Sequence, residues 1–381
     1  MRRWSSRRLV GLLATFGVAL GADACGVIAG IEDFHYVRDA AVSPPSVDAD
    51  LGDAGGGSDV GVGPSDAGLE GAVSDASVDG ASDAASCACT FEQTCIKGTC
   101  YPEPILTGLT GPFSMAVVGD RVVVADQGTG SLVSVSTSGA ASQATLATGL
   151  PNPLVRRGRG TNTLINPGVA SPAPIQTVLA DGGLGTLVSD AGAGLNAATV
   201  GLDAIVWGAT NTIYQCGRSG SCAAGTPTLV ATASSPVTGP AIEVVGSRVY
   251  WTPPGASGIV RYCDVGSCAT PSTITTNGIV RDIDADDTGL VVVGLTSVQM
   301  YDATPTLIGT SPGALGGGRA VVIVGGSAFV ASLDGVSENS RTAPLTSALR
   351  YQVPAAAIAY DAANSMLYWM RPNGTLVRAP R

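Results

Sequence analysis

From residue 104 to the C-terminus, apolar residues come in short runs broken by polar turns. One unit reads "AIEVV" (241–245), a turn, "RVYW" (248–251), a Gly-rich loop, "GIVRYC" (258–263), then "STITT" (272–276). Runs of this length, rich in Val, Ile, Tyr and Trp and bounded by Gly, Pro, Asn, Asp and Ser, predict strands. The unit is therefore four consecutive strands joined by tight turns.

The unit repeats. Stretches shaped like "RVYW" begin at Asp120, Thr161, Leu202, Ser247, Asp287, Gly326 and Asn364, so successive starts differ by 41, 41, 45, 40, 39 and 38 residues. A period of about 40 in an all-strand chain is the signature of propeller blades. The reading is an all-β, seven-bladed β-propeller over residues 104–381. Residues 151–190 match most weakly, which keeps six blades open, with eight as the other alternative. The last unit, "AAIAYDAANSMLYWMRPNGTLVRAPR", stops after three strands. "PILTGL" (104–109) resembles the outer strand "ATLATGL" (144–150) and supplies the missing fourth, closing the ring and removing a free edge.

The tetrapeptides "VYWT" and "LYWM", with "YDAANSMLYW" before the second, resemble the YWTD-type propellers of lipoprotein-receptor ectodomains and the broader NHL and streptogramin-lyase-like group. The motif is strong in two or three units. The whole layout resembles exported lipoproteins of myxobacteria-like bacteria, which implies architecture and location rather than activity.

The N-terminus carries the address. "MRRWSSRRLVGLLATFGVALGADAC" has four Arg and then an apolar run from Leu9 to Ala22, too short for a membrane span, so residues 1–24 read as an export signal. "SRRLV" resembles a twin-arginine signal, and the general export route is the other reading. "ADA" before Cys25 suits ordinary signal peptidase. "ADAC" resembles a lipobox, although Ala22 stands where Leu is usual. Of nine cysteines, eight form evident pairs and Cys25 is the odd one; lipidation of Cys25 accounts for it. The expected location is the outer membrane or cell surface, with periplasmic or extracellular release as the alternative.

Residues 25–38 form a short mature N-terminal segment. Residues 39–86 are Ala, Gly, Ser, Asp and Val in low-complexity order, with ten acids and no Lys or Arg. Such a segment has no apolar face to bury and is expected to be a disordered tether. As a flexible coil its 48 residues span on the order of 40 Å. "CACTFEQTCIKGTC" then opens a Cys-rich segment, residues 87–103. Cys87, Cys89, Cys95 and Cys100 have poor zinc spacing and no nearby His, so two disulfides are expected, with three connectivities open.

Two further pairs sit between the third and fourth strands of adjacent units, "YQCGRSGSCA" and "YCDVGSCA". Four thiolates at equivalent points of neighbouring blades are too far apart to share a zinc at about 2.3 Å. Each pair is expected to staple its own hairpin, Cys216 with Cys222 and Cys263 with Cys268, worth about 2 kcal/mol in the chain-entropy model.

Composition sharpens the picture. The chain has 52 Gly and 23 Pro in 381 residues, with 13% charged and 5% aromatic residues, which suits many short strands and turns. The net charge of −10 belongs to the tether, because residues 104–381 hold 14 Arg against 15 acids. No clustered basic surface suggests nucleic acid. Residues 104–381 contain no His, which removes Ser-His-Asp hydrolysis, His-ligated metals and the catalytic His that a resemblance to the lyase group would imply. No cofactor is expected.

The candidate ligand-binding face is the loop face. "VRRGRG" (155–160) puts Arg156, Arg157 and Arg159 in a loop between blades, suited to a carboxylate or sulfate, or simply a solvated loop. Asp126, Asp334 and Arg371 follow second strands and face the same way. "DIDADDTG" places Asp282, Asp284 and Asp286 at alternate positions like the start of a calcium loop, but Leu295 stands where the closing Glu belongs, so a polar turn is the simpler reading. Trp207, Trp251 and Trp369 recur at one strand position, which points to packing between blades rather than to sugar stacking. The expected function is non-catalytic binding or scaffolding by a monomeric propeller at the cell envelope, with a protein or glycan ligand. The alternative is a propeller enzyme, a lyase or lactonase lacking its usual His.

Overall fold

The computed structural model describes residues 87–381 except 91, 139–141, 157–162, 166–173, 180–182, 193–194, 202–203, 210–211, 218–226, 233–240, 254–257 and 313–316. The export signal, Cys25, the acidic tether, Arg157, Arg159 and Cys222 lie outside the described residues.

The described residues form strands and no helix, paired into seven four-stranded antiparallel sheets and one separate hairpin. In six sheets the four strands run in chain order. Sheet 1 begins with Pro112–Val118, sheet 2 with Leu154–Arg156, sheet 3 with Leu195–Val200, sheet 4 with Ile242–Val245, sheet 5 with Val280–Asp286 and sheet 6 with Gly318–Val324. Sheet 7 holds Ala357–Asp361, Met366–Met370 and Leu376–Pro380, and its fourth strand is Glu103–Leu106 from the other end of the chain. The chain is a β-propeller closed by its N-terminal strand. Each repeated "RVYW"-type stretch is the second strand of a sheet, as in Arg121–Asp126, Arg248–Trp251 and Met366–Met370.

The core follows from strand alternation, which gives each sheet two apolar faces. Seven buried clusters lie one between each pair of neighbouring sheets. The cluster between sheets 7 and 1 joins Leu106, Tyr368 and Leu376 to Met115, Val122 and Val124. Trp207 packs between sheets 2 and 3, Trp251 between sheets 3 and 4, and Trp369 between sheets 6 and 7, each fully buried. Their burial removes the sugar-stacking role.

One face gathers the turns between second and third strands with the loops that lead to the next sheet. Backbone bonds tie the two sets together. The amide of Leu109 donates to Gly374 O (3.2 Å), Gln127 to Gly111 O (2.8 Å), Leu150 to Gly130 O (2.9 Å) and Thr276 to Gly258 O (2.8 Å). Gly130 (φ 62°) and Gly374 (φ 79°) are left-handed, and a Cβ on either would strike the facing carbonyl of Leu150 or Leu109.

The Cys-rich segment is a hairpin, Thr94–Ile96 with Thr99–Tyr101, held by Cys87–Cys95 and Cys89–Cys100. This selects one of the three connectivities. Cys263–Cys268 staples its own turn, and Cys216 is also disulfide-bonded.

Leu106, 6% exposed, joins the closing strand to the core between sheets 7 and 1. Leu106→Ala is expected to lower stability by about 2–5 kcal/mol. Urea unfolding followed by Trp fluorescence checks this. A loss below about 1 kcal/mol would place the weight of closure elsewhere.

Candidate functional site

The innermost strands run from the loop face downward and surround the central channel. Four of them carry the same irregularity near their start. The ladder skips one residue between Pro112 and Ser114, Leu195 and Ala197, Val280 and Asp282, and Gly318 and Ala320. A bulge leaves one residue unpaired and re-aims its side chain. The skipped residues are Phe113, Asn196, Arg281 and Arg319. Phe113 is 46% exposed. Arg319 is half-buried; burial lowers its affinity for the proton, and the nearby Arg281 charge lowers it further.

Beneath the bulges, side chains stitch each inner strand to the next. Ser114 Oγ accepts from the Val155 amide (2.9 Å). Asp282 Oδ2 accepts from the Val321 amide (3.1 Å), and Asp284 Oδ2 accepts from the Ile323 amide (2.6 Å). Asp286 forms a two-pronged pair with Arg341 (2.6 and 2.8 Å) and caps its turn by accepting from Thr288 and Gly289. The three aspartates sit at alternate positions of one strand, so they share the face toward sheet 6.

Asp282 also accepts from Arg156 Nη1 at 3.0 Å. Arg156 ends the inner strand of sheet 2 and Asp282 lies in that of sheet 5, so their ion pair crosses the channel. Their side chains are only 19% and 11% exposed. Burial pushes the Asp282 carboxyl up, and the Arg156 guanidinium opposes that rise. Arg156 Nε is buried with no hydrogen-bond partner among the described residues.

These positions revise several expectations. Arg156 belongs to a strand and not to a surface loop. Asp126 is 2% exposed and cannot face a ligand: its carboxylate accepts from the amides of Thr110 (3.2 Å), Gly111 (2.7 Å) and Gly128 (3.1 Å) and from Thr129 Oγ1 (3.0 Å). Burial raises its pKa, and those donors outweigh it to leave a net fall. Arg371 pairs with Glu92 (3.0 Å), fastening the disulfide hairpin to sheet 7. Asp334 is exposed in the turn after Ser327–Ser332. Asp282, Asp284 and Asp286 lie along a strand, not in a calcium-type loop, and only Asp286 caps a turn. Among the described residues, the one group of three or more metal-ligating side chains close enough to share an ion is Cys87, Cys89 and Cys100, and these sulfurs are in disulfides.

Sequence reasoning missed Arg281, Arg319 and Phe113. Aligning the first strands, "GPFSMAVV", "IVRDIDAD" and "GGRAVVIV", would have put them in one column. Two exposed leucines on the same face were also missed: Leu295 (38%) and Leu333 (42%), in the turns of sheets 5 and 6. On the opposite face a groove of ≈ 280 Å³ lies against Gly246, Arg248, Asp264, Asp287 and Ala303. Its Arg248 is engaged by Asp264 (3.0 Å) and Ala303 O (2.7 Å).

No family model matches the chain, and no curated protein matches it. Solved structures do. A streptogramin B lyase structure aligns with a TM-score of 0.56 at 12% identity, covering 73% of this chain and 96% of that one. The WD40 β-propeller domain of Doa1 aligns with a TM-score of 0.53 at 14% identity, covering 70% and 92%. The computationally designed Ika8 protein aligns at 0.51 and 12% identity, covering 73% and 98%. At these identities the likeness shows the propeller fold alone.

Two predictions follow from the geometry. Breaking the cross-channel pair from one side, by Arg156→Met or Asp282→Leu, strands a buried charge and is expected to cost about 3–5 kcal/mol; the double variant should cost less than the sum of the two. Additive losses in urea unfolding would contradict a direct pair. For Asp286, burial raises the carboxyl but Arg341 and Thr288 hold it at about 2, below the 3.8 usual for an aspartate. A depressed carboxyl stabilises the fold above its unfolded pKa and loses that contribution as pH falls toward its folded pKa. Between pH 3.8 and about 2, wild type should therefore lose stability more steeply than Asp286→Asn. Parallel acid limbs in the two denaturation series would refute the pairing.

Proposed function

We propose that the chain is a seven-bladed propeller, one blade per sheet, acting as a non-catalytic binding module at a bacterial cell envelope. The YWTD/NHL-like motifs and the lipoprotein-like N-terminus support this placement. Cys25 would be lipidated and residues 39–86 would hold the propeller away from the membrane. The partner is a protein or glycan that meets the loop face.

The observation that carries this reading is the make-up of the channel mouth. Exposed Phe113, Leu295 and Leu333 share the loop face with Arg281 and Arg319. An apolar surround with arginine at its centre is the composition of protein-binding hot spots. The carboxylates nearest the mouth are already engaged, Asp282 by Arg156 and the Val321 amide, and Asp126 by its loop amides. Residues 104–381 contain no His, so an acid/base reaction there would have to use other groups such as Asp, Glu or Tyr. The propeller-enzyme reading has only the fold likeness to a lyase in its favour.

Photo-crosslinking on intact cells tests the reading. Benzoylphenylalanine at Leu295 or Leu333 is expected to give discrete adducts, whereas the same probe at Leu307 or Leu349, on outer strands, is not. Equal adducts from both sets, or none from the loop face, would overturn it.

A further inference from the structure

The disulfide hairpin brings its sulfurs closer together than pairing in twos requires. The Sγ atoms of Cys87, Cys89 and Cys100 all lie within 4.8 Å of one another, although Cys87 is bonded to Cys95 and not to either of them. The two disulfides are therefore in contact. Cys95 belongs to the same group, because it is bonded to Cys87 and stands directly opposite Cys100 in the ladder. Residues directly opposite in an antiparallel pair share one face, with Cβ atoms about 4.5–5.5 Å apart.

Local structure explains the gathering, which spacing along the chain conceals. The Gln93 amide donates to Thr90 O (3.0 Å), and Gln93 Oε1 accepts from the Thr90 amide and Oγ1 (3.2 and 2.9 Å). That turn reverses the chain between Cys89 and Cys95. Lys97 and Gly98, both left-handed (φ 49° and 81°), then close Thr94–Ile96 onto Thr99–Tyr101. None of these bonds involves a sulfur. Nor do the fastenings to the propeller: Glu92 pairs with Arg371 (3.0 Å), Gln93 Nε2 donates to Pro102 O (3.0 Å), and Tyr101 packs against the cluster between sheets 6 and 7. The hairpin thus keeps holds of its own when its cysteines are thiols, the state in which every chain is synthesised.

Four thiolates so placed suit zinc. Zinc takes tetrahedral thiolate ligands at about 2.3 Å, so its sulfurs stand about 3.8 Å apart. The two bonded pairs have Cα atoms 5.6 and 5.4 Å apart, so side-chain rotation is enough to reach that spacing. Cys95 is exposed and the other three are half-buried, which admits a reductant and an ion. We propose that the reduced hairpin is a zinc site whose ligands are the thiolates of Cys87, Cys89, Cys95 and Cys100, and that formation of the two disulfides expels the ion. On reduction, each S–S bond takes two electrons and two protons from a dithiol, which leaves as its own disulfide. Zn²⁺ then displaces the four thiol protons. In the reverse direction, two molecules of a disulfide oxidant accept four electrons and four protons, the two S–S bonds form, and Zn²⁺ returns to water. The site lies wholly in the hairpin and does not draw on the loop face.

Metal content tests the proposal. The full-length protein is reduced with a phosphine, incubated with Zn²⁺ alone, desalted without air and assayed for bound zinc. About one zinc per chain is expected in the reduced protein and none in the disulfide form. Cd²⁺ in place of Zn²⁺ is expected to give the charge-transfer absorbance of four thiolate ligands. Cys89→Ser and Cys95→Ser are each expected to weaken zinc binding about tenfold or more, since even outer-shell changes at zinc sites cost about 10–100-fold. The variant with Cys216→Ser, Cys222→Ser, Cys263→Ser and Cys268→Ser is expected to keep the ion. Near-UV circular dichroism identifies any variant that fails to fold; Cys95→Ser, at the exposed position, and the cadmium spectrum of the unaltered protein keep the test decisive. No zinc retained by the reduced protein overturns the site. Unchanged affinity in both Cys89→Ser and Cys95→Ser, or loss of the ion with the four propeller cysteines, also overturns it. Zinc that stays bound after a disulfide oxidant is added overturns the expulsion.

Discussion

The pairing of Glu103–Leu106 with Leu376–Pro380 is the constraint on which the rest of the molecule depends. A ring of sheets has no stable partial form, because each apolar face is buried only by the sheet beside it. Without the N-terminal strand, sheet 7 would end at three strands, and the cluster between sheets 7 and 1 would lose Leu106 and Leu109. The closing strand is secured along its length: Glu103 pairs with Arg378 at 2.8 Å, and the Leu109 amide reaches Gly374. The disulfide hairpin just before it is fastened by Arg371–Glu92, so two arginines of the last sheet hold the first described residues of the chain. Closure also fixes which inner strands face each other across the channel.

That geometry decides the chemistry of the channel. Inner strands are ladder edges, and their outward amides need acceptors. Here the acceptors are side chains of the preceding strand: Ser114 for Val155, Asp282 for Val321 and Asp284 for Ile323. Charged acceptors make stronger bonds than neutral ones but bring a desolvation cost, which Arg156 offsets for Asp282 from the far side of the ring. The negative charge of the channel is thus spent on holding blades together. Arg281 and Arg319 lie at the bulges above it.

Much of this was legible in the sequence and some was not, for identifiable reasons. Second strands are buried on both faces, so their apolar signature repeats cleanly and set the period near 40. The three-strand ending and the outer-strand likeness of "PILTGL" exposed the closure. The recurrent Trp positions pointed to the core they occupy. Inner strands hid their message because a bulge shifts the register by one, so Arg281 and Arg319 fall out of step with the strand alternation that pattern reading uses. Arg156 was placed in a loop because it follows an outer strand closely, whereas sheet 2 begins two residues earlier, at Leu154. Asp126 read as a surface group because it ends a strand; its four loop donors, two of them at residues 110 and 111, are visible only once the ring is folded.

The channel aspartates act as acceptors for neighbouring-strand amides and so bind one inner strand to the next. Amide hydrogen exchange of the native protein tests it most directly. Val321 and Ile323 are expected to be protected as strongly as ladder-bonded amides such as that of Val292, and Asp282→Asn is expected to reduce protection at Val321 while sparing Ile323. Exchange at Val321 and Ile323 as fast as at exposed turn residues such as Asp334 would contradict it.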